Sequence, residues 1–507
     1  MEKSLLLAAA ALPLAAHGAA GATGAASRTE DAPTRRPNII LFMVDDMGWQ
    51  DTSVPFWSER TPYNRLFETP AMERLASMGT LFTQAYASSI SSPSRCSLLT
   101  GCNAARHCVT NWTLERDKST DHESPTLQLP EWNVNGILQS GEVDRTFRAT
   151  SFVELLRRSG YHTIHCGKAH FGAIDTPGED PHHFGFEVNI AGHAAGGPAS
   201  YLGEQNYGNR TDGAPQSLFA TPGLEKYWGT ETFLSEALTR EALHALDKAR
   251  RYGQPFFLYM AHYAVHVPVD RDARFFAKYK ERGLSDREAA YAELQNTIIL
   301  FMSDNGGLAA EGTRDGALHT QNAPLNSGKG SAYEGGIREP MLVYWPGVTR
   351  GGERCDDYLL IEDFYPTILE MAGIRRYRTV QPIDGRSFVP LLTGRGPNPA
   401  RGRSLYWNCP NVWGPTGPGI GPTCTIRRGD WKLVYYYEDG RRELFNIRRD
   451  IGEREELSAS EPRRVRELSR RLGRFLRRVG AQRPSFKATG EPCPWPDEID
   501  TKAPGGR

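Results

Sequence analysis

The stretch Ser88-Ser89-Ile90-Ser91-Ser92-Pro93-Ser94-Arg95-Cys96-Ser97-Leu98-Leu99-Thr100-Gly101 carries the densest chemistry in the 507-residue chain. Ser92 followed by Pro93 reads as a helix start, with the serine as N-cap and the proline at the first helical position. Ser91 then stands just before the helix, at its positive end, and Arg95 lies about one turn on, where it can share the same face. A hydroxyl, a guanidinium and a helix N-terminus that converge suit an oxyanion such as sulfate or phosphate. A serine-rich cap alone is ordinary, but other clusters accompany it. Asp45-Asp46 closes one apolar run and Ser303-Asp304-Asn305-Gly306-Gly307 closes another. Three carboxylates and an amide oxygen form a hard, all-oxygen set suited to calcium or magnesium. The cations come from three segments. In His165-Cys166-Gly167-Lys168-Ala169-His170, Lys168 and His170 share one face of an extended segment. The other two are His262-Tyr263-Ala264-Val265-His266-Val267-Pro268 and the loop Ser327-Gly328-Lys329-Gly330-Ser331, which runs into Tyr333-Glu334-Gly335-Gly336-Ile337-Arg338-Glu339-Pro340.

The elements that must position these residues are legible as patterns. Asn38 to Val44 is a continuous apolar run, typical of a strand buried on both faces. Thr69, Pro70 and Gly79 bracket a helix, and an apolar strand follows around Leu81 to Tyr86. A helix over about Ser151 to Arg158, stopped by Gly160, leads into a strand at Tyr161 to Gly167. Further buried strands are expected at Phe256 to Met260, Thr297 to Met302 and Met341 to Trp345. Strand and helix alternate, so the fold class is α/β with a mostly parallel central sheet. Sites in such folds gather at the C-terminal ends of strands, and each polar cluster above follows a strand. Near Gly394 to Arg403 the chain turns Gly-, Pro- and Arg-rich. Beyond it, Thr425 to Ile447 reads as a meander turning at Gly429-Asp430 and Asp439-Gly440, then one helix over about Glu461 to Val479. Val465, Leu468, Leu472, Phe475 and Val479 form the buried stripe of that helix. Its arginines read as a solvated face. The expected organisation is a catalytic domain over 36–400 and a smaller antiparallel α+β subdomain over 401–507.

Ser91-x-Pro93-x-Arg95 followed by Leu98-Leu99-Thr100-Gly101 resembles the sulfatase signature in its serine-type version. The strand ending in Asp45-Asp46, Gly167-Lys168-x-His170, His266-x-Pro268, Ser303-Asp304-Asn305-Gly306, and Gly328-Lys329-Gly330 with Glu334-Gly335-Gly336-x-Arg338-x-Pro340 are similar to that family's other motifs, in the same order. The resemblance spans roughly residues 36 to 400 and, more loosely, the meander. It implies an alkaline-phosphatase-like fold and hydrolysis of sulfate esters, with O-sulfated carbohydrate as the expected substrate. It also implies that Ser91 is oxidised to formylglycine, an aldehyde whose hydrate is the nucleophile. Asp45, Asp46, Asp304 and Asn305 would then bind calcium together with the modified Ser91, with magnesium as the other candidate. Arg95 would hold the hydrate, Lys168, Lys329 and His266 would bind the sulfate group, and His170 would contact the hydrate and help expel sulfate. His266 or Lys329 would assist departure of the alcohol. The serine type further implies an anaerobic-type sulfatase-maturating enzyme as a partner. One stretch departs from the pattern: Ser285 to Gln295 reads as a helix that meets the next strand at Asn296 with no connecting turn, whereas the resemblance implies a crossover longer by on the order of two dozen residues.

Two rival readings follow from the same residues. A phosphatase or phosphonate monoester hydrolase of the same superfamily commonly carries histidine after the late aspartate, where this chain has Asn305. A non-catalytic glycan-binding relative would keep the cleft with Ser91 unmodified. A formal net charge of zero gives no sign of a nucleic-acid partner. A mean hydropathy of -0.51 argues against a polytopic membrane protein. Met1-Glu2-Lys3-Ser4, the apolar run Leu5 to Ala16 and the small residues Ala19, Ala20 and Ala22 read as a signal peptide and leader over 1–26, hence an exported protein, periplasmic or extracellular. Of the eight cysteines, Cys409 and Cys424 flank a Gly/Pro-rich loop and are the favoured disulfide pair. Asn111-Trp112-Thr113 and Asn209-Arg210-Thr211 match the glycosylation pattern. His107, Trp112, His183, His193, His319, Trp407 and Trp413 are candidates for a sugar pocket.

Overall fold

In chain order the principal elements are β1 (Ile39–Val44), α1 (Pro70–Met78), β2 (Thr80–Tyr86), α2 (Ser91–Thr100), α3 (Phe152–Arg158), β3 (His162–Gly167), β4 (Val188–Ile190), α4 (Leu234–Tyr252), β5 (Phe256–Ala261), β6 (Ile298–Ser303), β7 (Arg338–Tyr344), β8 (Glu353–Cys355), β9 (Leu359–Leu360) and α5 (Phe364–Met371). A second group comprises β10 (Ser404–Cys409), β11 (Thr423–Arg428), β12 (Trp431–Tyr436), β13 (Arg442–Asn446) and α6 (Pro462–Val479). The structure is a computed structural model and describes residues 36–268, 270–272, 297–308 and 322–499. The expected signal peptide, the helix over Ser285 to Gln295 and His319 lie outside the described residues.

The large sheet has strand order β8-β2-β7-β6-β1-β5-β3-β4, with β9 also paired to β2. Its pairs are parallel except where β7 meets β2 and β6. β1 shows why its run is apolar without alternation. Ile39, Leu41 and Met43 pack into a core that includes Phe152 and Leu156 of α3, Leu98 of α2 and Phe364 of α5. Ile40 faces the other way, into a core with Leu234, Leu238 and Leu246 of α4. Val44 joins Met72 and Leu75 of α1. Helices therefore cover both faces of the sheet, the condition under which parallel strands are stable.

Register decides where the polar clusters go. Met43 pairs with both Ala261 and Met302, Val44 pairs with Ser303, and Gly167 pairs with Ala261. β1, β5, β6 and β3 thus end at one edge, and the residues that follow them meet there. Gly167 permits the tightest of these exits. Its φ is +101°, and a Cβ on it would lie 1.9 Å from the Ala261 carbonyl oxygen.

The second sheet is antiparallel, in the order β10-β11-β12-β13. The expected stripe of α6 is buried against Ile426, Leu433 and Leu444. β10 is an addition to the expected meander. Residues from Arg36 onward form one compact unit that holds both sheets. Cys409 and Cys424 do not pair; all eight cysteines are free thiols. In the β10–β11 register Cys424 faces Asn408 and Cys409 faces Thr423, so the two side chains project to opposite faces. Asn111 is fully buried, which withdraws its sequon from any modifying enzyme.

Candidate active site

The helix that carries the serine stretch starts two residues earlier than its cap pattern suggests. α2 begins at Ser91, with Ile90 as an N-cap that makes no side-chain capping bond. Ser92 does not cap it, because its hydroxyl instead accepts a hydrogen bond from the Thr113 N–H at 3.1 Å. Pro93 falls within the first turn, where the missing N–H has no helical partner to lose. Ser91 is buried, and its hydroxyl is surrounded by the expected groups. Lys168 Nζ donates to Ser91 Oγ at 2.9 Å, and Ser91 Oγ lies 3.0 Å from Asn305 Oδ1 and 3.3 Å from Asp45 Oδ1.

The carboxylates converge as the register requires. Oxygen atoms of Asp45, Asp46 and Asp304 lie within 4.8 Å of one another, all buried. Lys168 Nζ donates to Asp45 Oδ2 at 2.6 Å and stands 3.9 Å from Asp304 Oδ2. Lys329 Nζ donates to both Asp46 oxygens at 2.6 and 2.8 Å. Asn305 Nδ2 donates to Asp46 Oδ1 at 2.7 Å, which leaves its Oδ1 on the Ser91 side. Arg95 Nε donates to Asp304 Oδ2 at 2.9 Å, and its Nη1 donates to the Lys168 carbonyl at 2.9 Å and to Tyr259 Oη at 3.3 Å. Among the described residues its buried Nη2 has no hydrogen-bond partner. Asp46 and His170 both have a φ of +59°, a left-handed conformation uncommon for residues other than glycine and often found at functional sites.

Burial and the adjacent Asp304 push the Asp45 carboxyl well above the usual range, with Lys168 opposing them. Asp46 feels the same burial, but Lys329, His266 and Lys168 outweigh it and hold the carboxyl low. Asp304 is held low by Arg95 and Lys168 against its burial. Burial lowers the Lys168 ammonium against the pull of Asp45. Such crowding of buried carboxylates fits a hard cation: the donor set is all oxygen, and a divalent ion would neutralise the charge that raises Asp45.

His266 Nδ1 donates to the Val267 carbonyl at 2.7 Å, leaving Nε2 at 3.8 Å from Asp46 Oδ2. Burial and the Lys329 charge lower its pKa to about 3. His170 is held well below its usual value by burial, Lys168 and Arg95. Its Nε2 donates to the Thr113 carbonyl at 3.0 Å, and its buried Nδ1 has no partner among the described residues. Among the described residues it makes no hydrogen bond to Ser91.

Several contributors carried no signal of their own in the sequence. Tyr259 and Thr113 are ordinary strand and loop residues until the fold brings them to Arg95 and His170. Gly196 and Gly197 lie against His170 and His266, and a Cβ on either would come within 2.3 or 2.7 Å of the ring. The small-residue run Ala194-Ala195-Gly196-Gly197 was their only trace. Among the sugar-pocket candidates, His107 and Trp407 are buried and structural: His107 Nε2 pairs with Ser97 Oγ, and Trp407 Nε1 donates to the Ala87 carbonyl. His183 is exposed, whereas Trp413 lies beside Lys329.

A doubly covered, mostly parallel sheet whose strands end at a cluster of buried carboxylates and cationic side chains has the alkaline-phosphatase-like fold. A family model described as "Sulfatase" matches residues 37–293, and one described as "N-sulphoglucosamine sulphohydrolase, C-terminal" matches 328–482. The chain belongs to the sulfatase family, the hydrolases of sulfuric esters. It is 29% identical to a sulfatase of Formosa agariphila, with 86% of this chain and 87% of that one covered. It is also 29% identical to the N-acetylgalactosamine-6-sulfatase of Homo sapiens, over 86% and 84% of the two chains. The crystal structure of Ps i-CgsB in complex with k-i-k-neocarrahexaose is 26% identical, with a TM-score of 0.66 over 87% of this chain and 93% of that one.

Proposed function

We propose that this protein hydrolyses sulfate esters of O-sulfated carbohydrate and releases inorganic sulfate. In this reading Ser91 is converted to formylglycine by an anaerobic-type maturating enzyme, and Asp45, Asp46, Asp304 and Asn305 hold calcium. The observation that carries the reading is the setting of Ser91 Oγ, which lies within hydrogen-bond reach of Lys168, Asp45 and Asn305 at the edge of a three-carboxylate cluster. The carbohydrate class is supported by the N-acetylgalactosamine-6-sulfatase relative and by the k-i-k-neocarrahexaose in complex with Ps i-CgsB. Asn305, in place of a histidine, favours one hard cation over a zinc pair, and so sulfate over phosphate chemistry.

When bound, the calcium ion and the aldehyde hydrate supply an anionic oxygen nucleophile at neutral pH. The protein's own groups do the rest. Lys168 steadies negative charge at the Ser91 position. Lys329 and His266, both beside Asp46, receive the sulfuryl oxygens. His266 or Lys329 assists departure of the alcohol oxygen. His170, fixed through Nε2 on Thr113, presents Nδ1 as a buried base to withdraw a proton from the Ser91-derived group. Arg95 locks Asp304 in place and keeps Nη2 free for an added oxygen. The apolar N-terminus supports action outside the cytoplasm.

The test is the mass of the peptide containing Ser91, taken from protein made in its native host. Loss of two hydrogens at Ser91, with turnover of a sulfated sugar that requires calcium, is the expected result. A wholly unmodified Ser91 in active protein would overturn the formylglycine mechanism.

A further inference from the structure

The groups above account for the sulfuryl end of a substrate and leave the sugar unaddressed. Two loops beside the site are braced against each other. One covers residues 111–122, and the other covers 410–422, between β10 and β11. Asp121 clasps them: its Oδ1 accepts from Asn111 Nδ2 at 2.7 Å, and its Oδ2 accepts from Asn411 Nδ2 at 2.9 Å and from Trp132 Nε1 at 3.0 Å. The His122 N–H donates to the Val412 carbonyl at 2.9 Å. A Cβ on Gly414 would meet the His122 ring at 2.7 Å. The first loop reaches the catalytic groups through the Thr113 carbonyl that holds His170. The second reaches them through Trp413. Its indole rests on Gly330, where a Cβ would lie 2.2 Å from the ring, and its centroid is 6.0 Å from Lys329 Nζ. Gly330 is itself tied to the serine stretch, since its N–H donates to the Ser89 carbonyl at 2.8 Å.

We infer that Trp413 is the platform on which the sulfate-bearing sugar ring stacks, within a wall built from these two loops. The inference rests on the carbohydrate reading proposed above. A sulfate held by Lys329 leaves the attached ring at the distance of the indole, which is only partly buried. A pyranose has one face of C–H groups that suits the negative face of an aromatic ring. Tryptophan offers this area with only two side-chain torsions to immobilise. Because Trp413 lies on the loop joining β10 to β11 of the second sheet and Lys329 lies on a loop before β7 of the first, the wall also gives the second sheet's connection a direct part in choosing the substrate.

The test uses full-length matured enzyme and its Trp413→Ala and Trp413→Phe variants. Galactose 6-sulfate, N-acetylgalactosamine 6-sulfate and a carrageenan hexasaccharide serve as sugar probes, and 4-methylumbelliferyl sulfate as a sugar-free one. For the sugar probe best used by the wild type, Trp413→Ala is expected to raise KM about tenfold or more, a stacking-sized effect. kcat should stay within about twofold, the inhibition constant of inorganic sulfate should be unchanged, and Trp413→Phe should retain most of the affinity. An unchanged KM in Trp413→Ala would overturn the inference. So would a matching fall in kcat and weaker inhibition by sulfate, which would mean that Trp413 only positions Lys329. Wild-type turnover of the aryl sulfate and none of the sugars would overturn the carbohydrate class, and this inference with it, while leaving sulfate hydrolysis standing. No turnover of any probe by protein with modified Ser91 would overturn the proposed function itself.

Discussion

Ser91, Lys168 and Asp45 form the smallest unit of the proposed active site, and Lys168 is its hinge. Its ammonium bridges Ser91 Oγ and Asp45 Oδ2 at 2.9 and 2.6 Å in full burial. Lys168→Met keeps the bulk and removes the charge, so kcat is expected to fall by about 100-fold or more, the scale for loss of one preorganised electrostatic contact. Steady-state kinetics on any accepted sulfate ester measures it. The carboxylate cluster makes a second prediction. If calcium binds the folded protein alone, a chelator should lower the melting temperature, and added calcium at about 100 times its dissociation constant should restore roughly 2.7 kcal/mol. A melting temperature insensitive to both treatments would argue against a resident cation. The residue types were readable from the sequence, but their partners were not: the burial and Lys329 charge that lower the His266 pKa, and the fixing of His170 by Thr113, depend on atoms far away along the chain.

At the scale of elements, the site is a consequence of strand ends in common register. Gly167 closes β3 where no side chain fits, its missing Cβ facing the Ala261 carbonyl. Gly167→Ala adds both this clash and an unfavourable φ. It should cost roughly 2–3 kcal/mol or more and depress kcat by moving Lys168, as chemical denaturation and kinetics would show. The two sheets are joined by a buried ionic cluster. Lys432 of β12 lies 3.1 Å from Glu334 and 2.8 Å from Glu453, and Glu334 also accepts from Tyr86 Oη at 2.6 Å and Arg338 Nη1 at 3.2 Å. Lys432→Met would leave buried Glu453 without its ammonium partner and take one of the cations from Glu334, and is expected to destabilise by about 3–5 kcal/mol, visible in a denaturant titration. Strand positions and the α6 stripe were legible because apolar periodicity is local. The antiparallel insertion of β7 between β2 and β6, the extra strand β10 and the unpaired Cys409 and Cys424 were not, since each depends on pairing and register.

For the whole molecule, acid sensitivity follows from buried neutral histidines. Burial lowers His107 and His165 to about 3 and His193 and His262 to about 4. The unfolded chain takes up these protons near pH 6.5. Their contribution to stability is therefore complete above that pH and is lost as pH falls toward 4. Burial raises Glu362 and Glu453 to about 8 and about 7, which pulls the other way over the same range, so a variant gives the clean readout. His165 is ringed by Phe171, Phe186 and Tyr259. His165→Phe should lose less melting temperature than wild type between pH 7 and pH 5. The α/β class, the order of the strands along the chain, the residue types that gather at the candidate site and the family resemblance were all determined by the sequence alone, because they rest on local pattern and short motifs. Only the tertiary structure decided that four strands end level, that Asp304 and Asn305 meet Asp45 and Ser91 from more than 200 positions away, and that Trp413, on the β10–β11 loop, reaches Lys329. The physical reason is that a motif specifies side chains, whereas strand register and packing specify which of them share a few cubic ångströms, and those contacts are set by the whole chain at once.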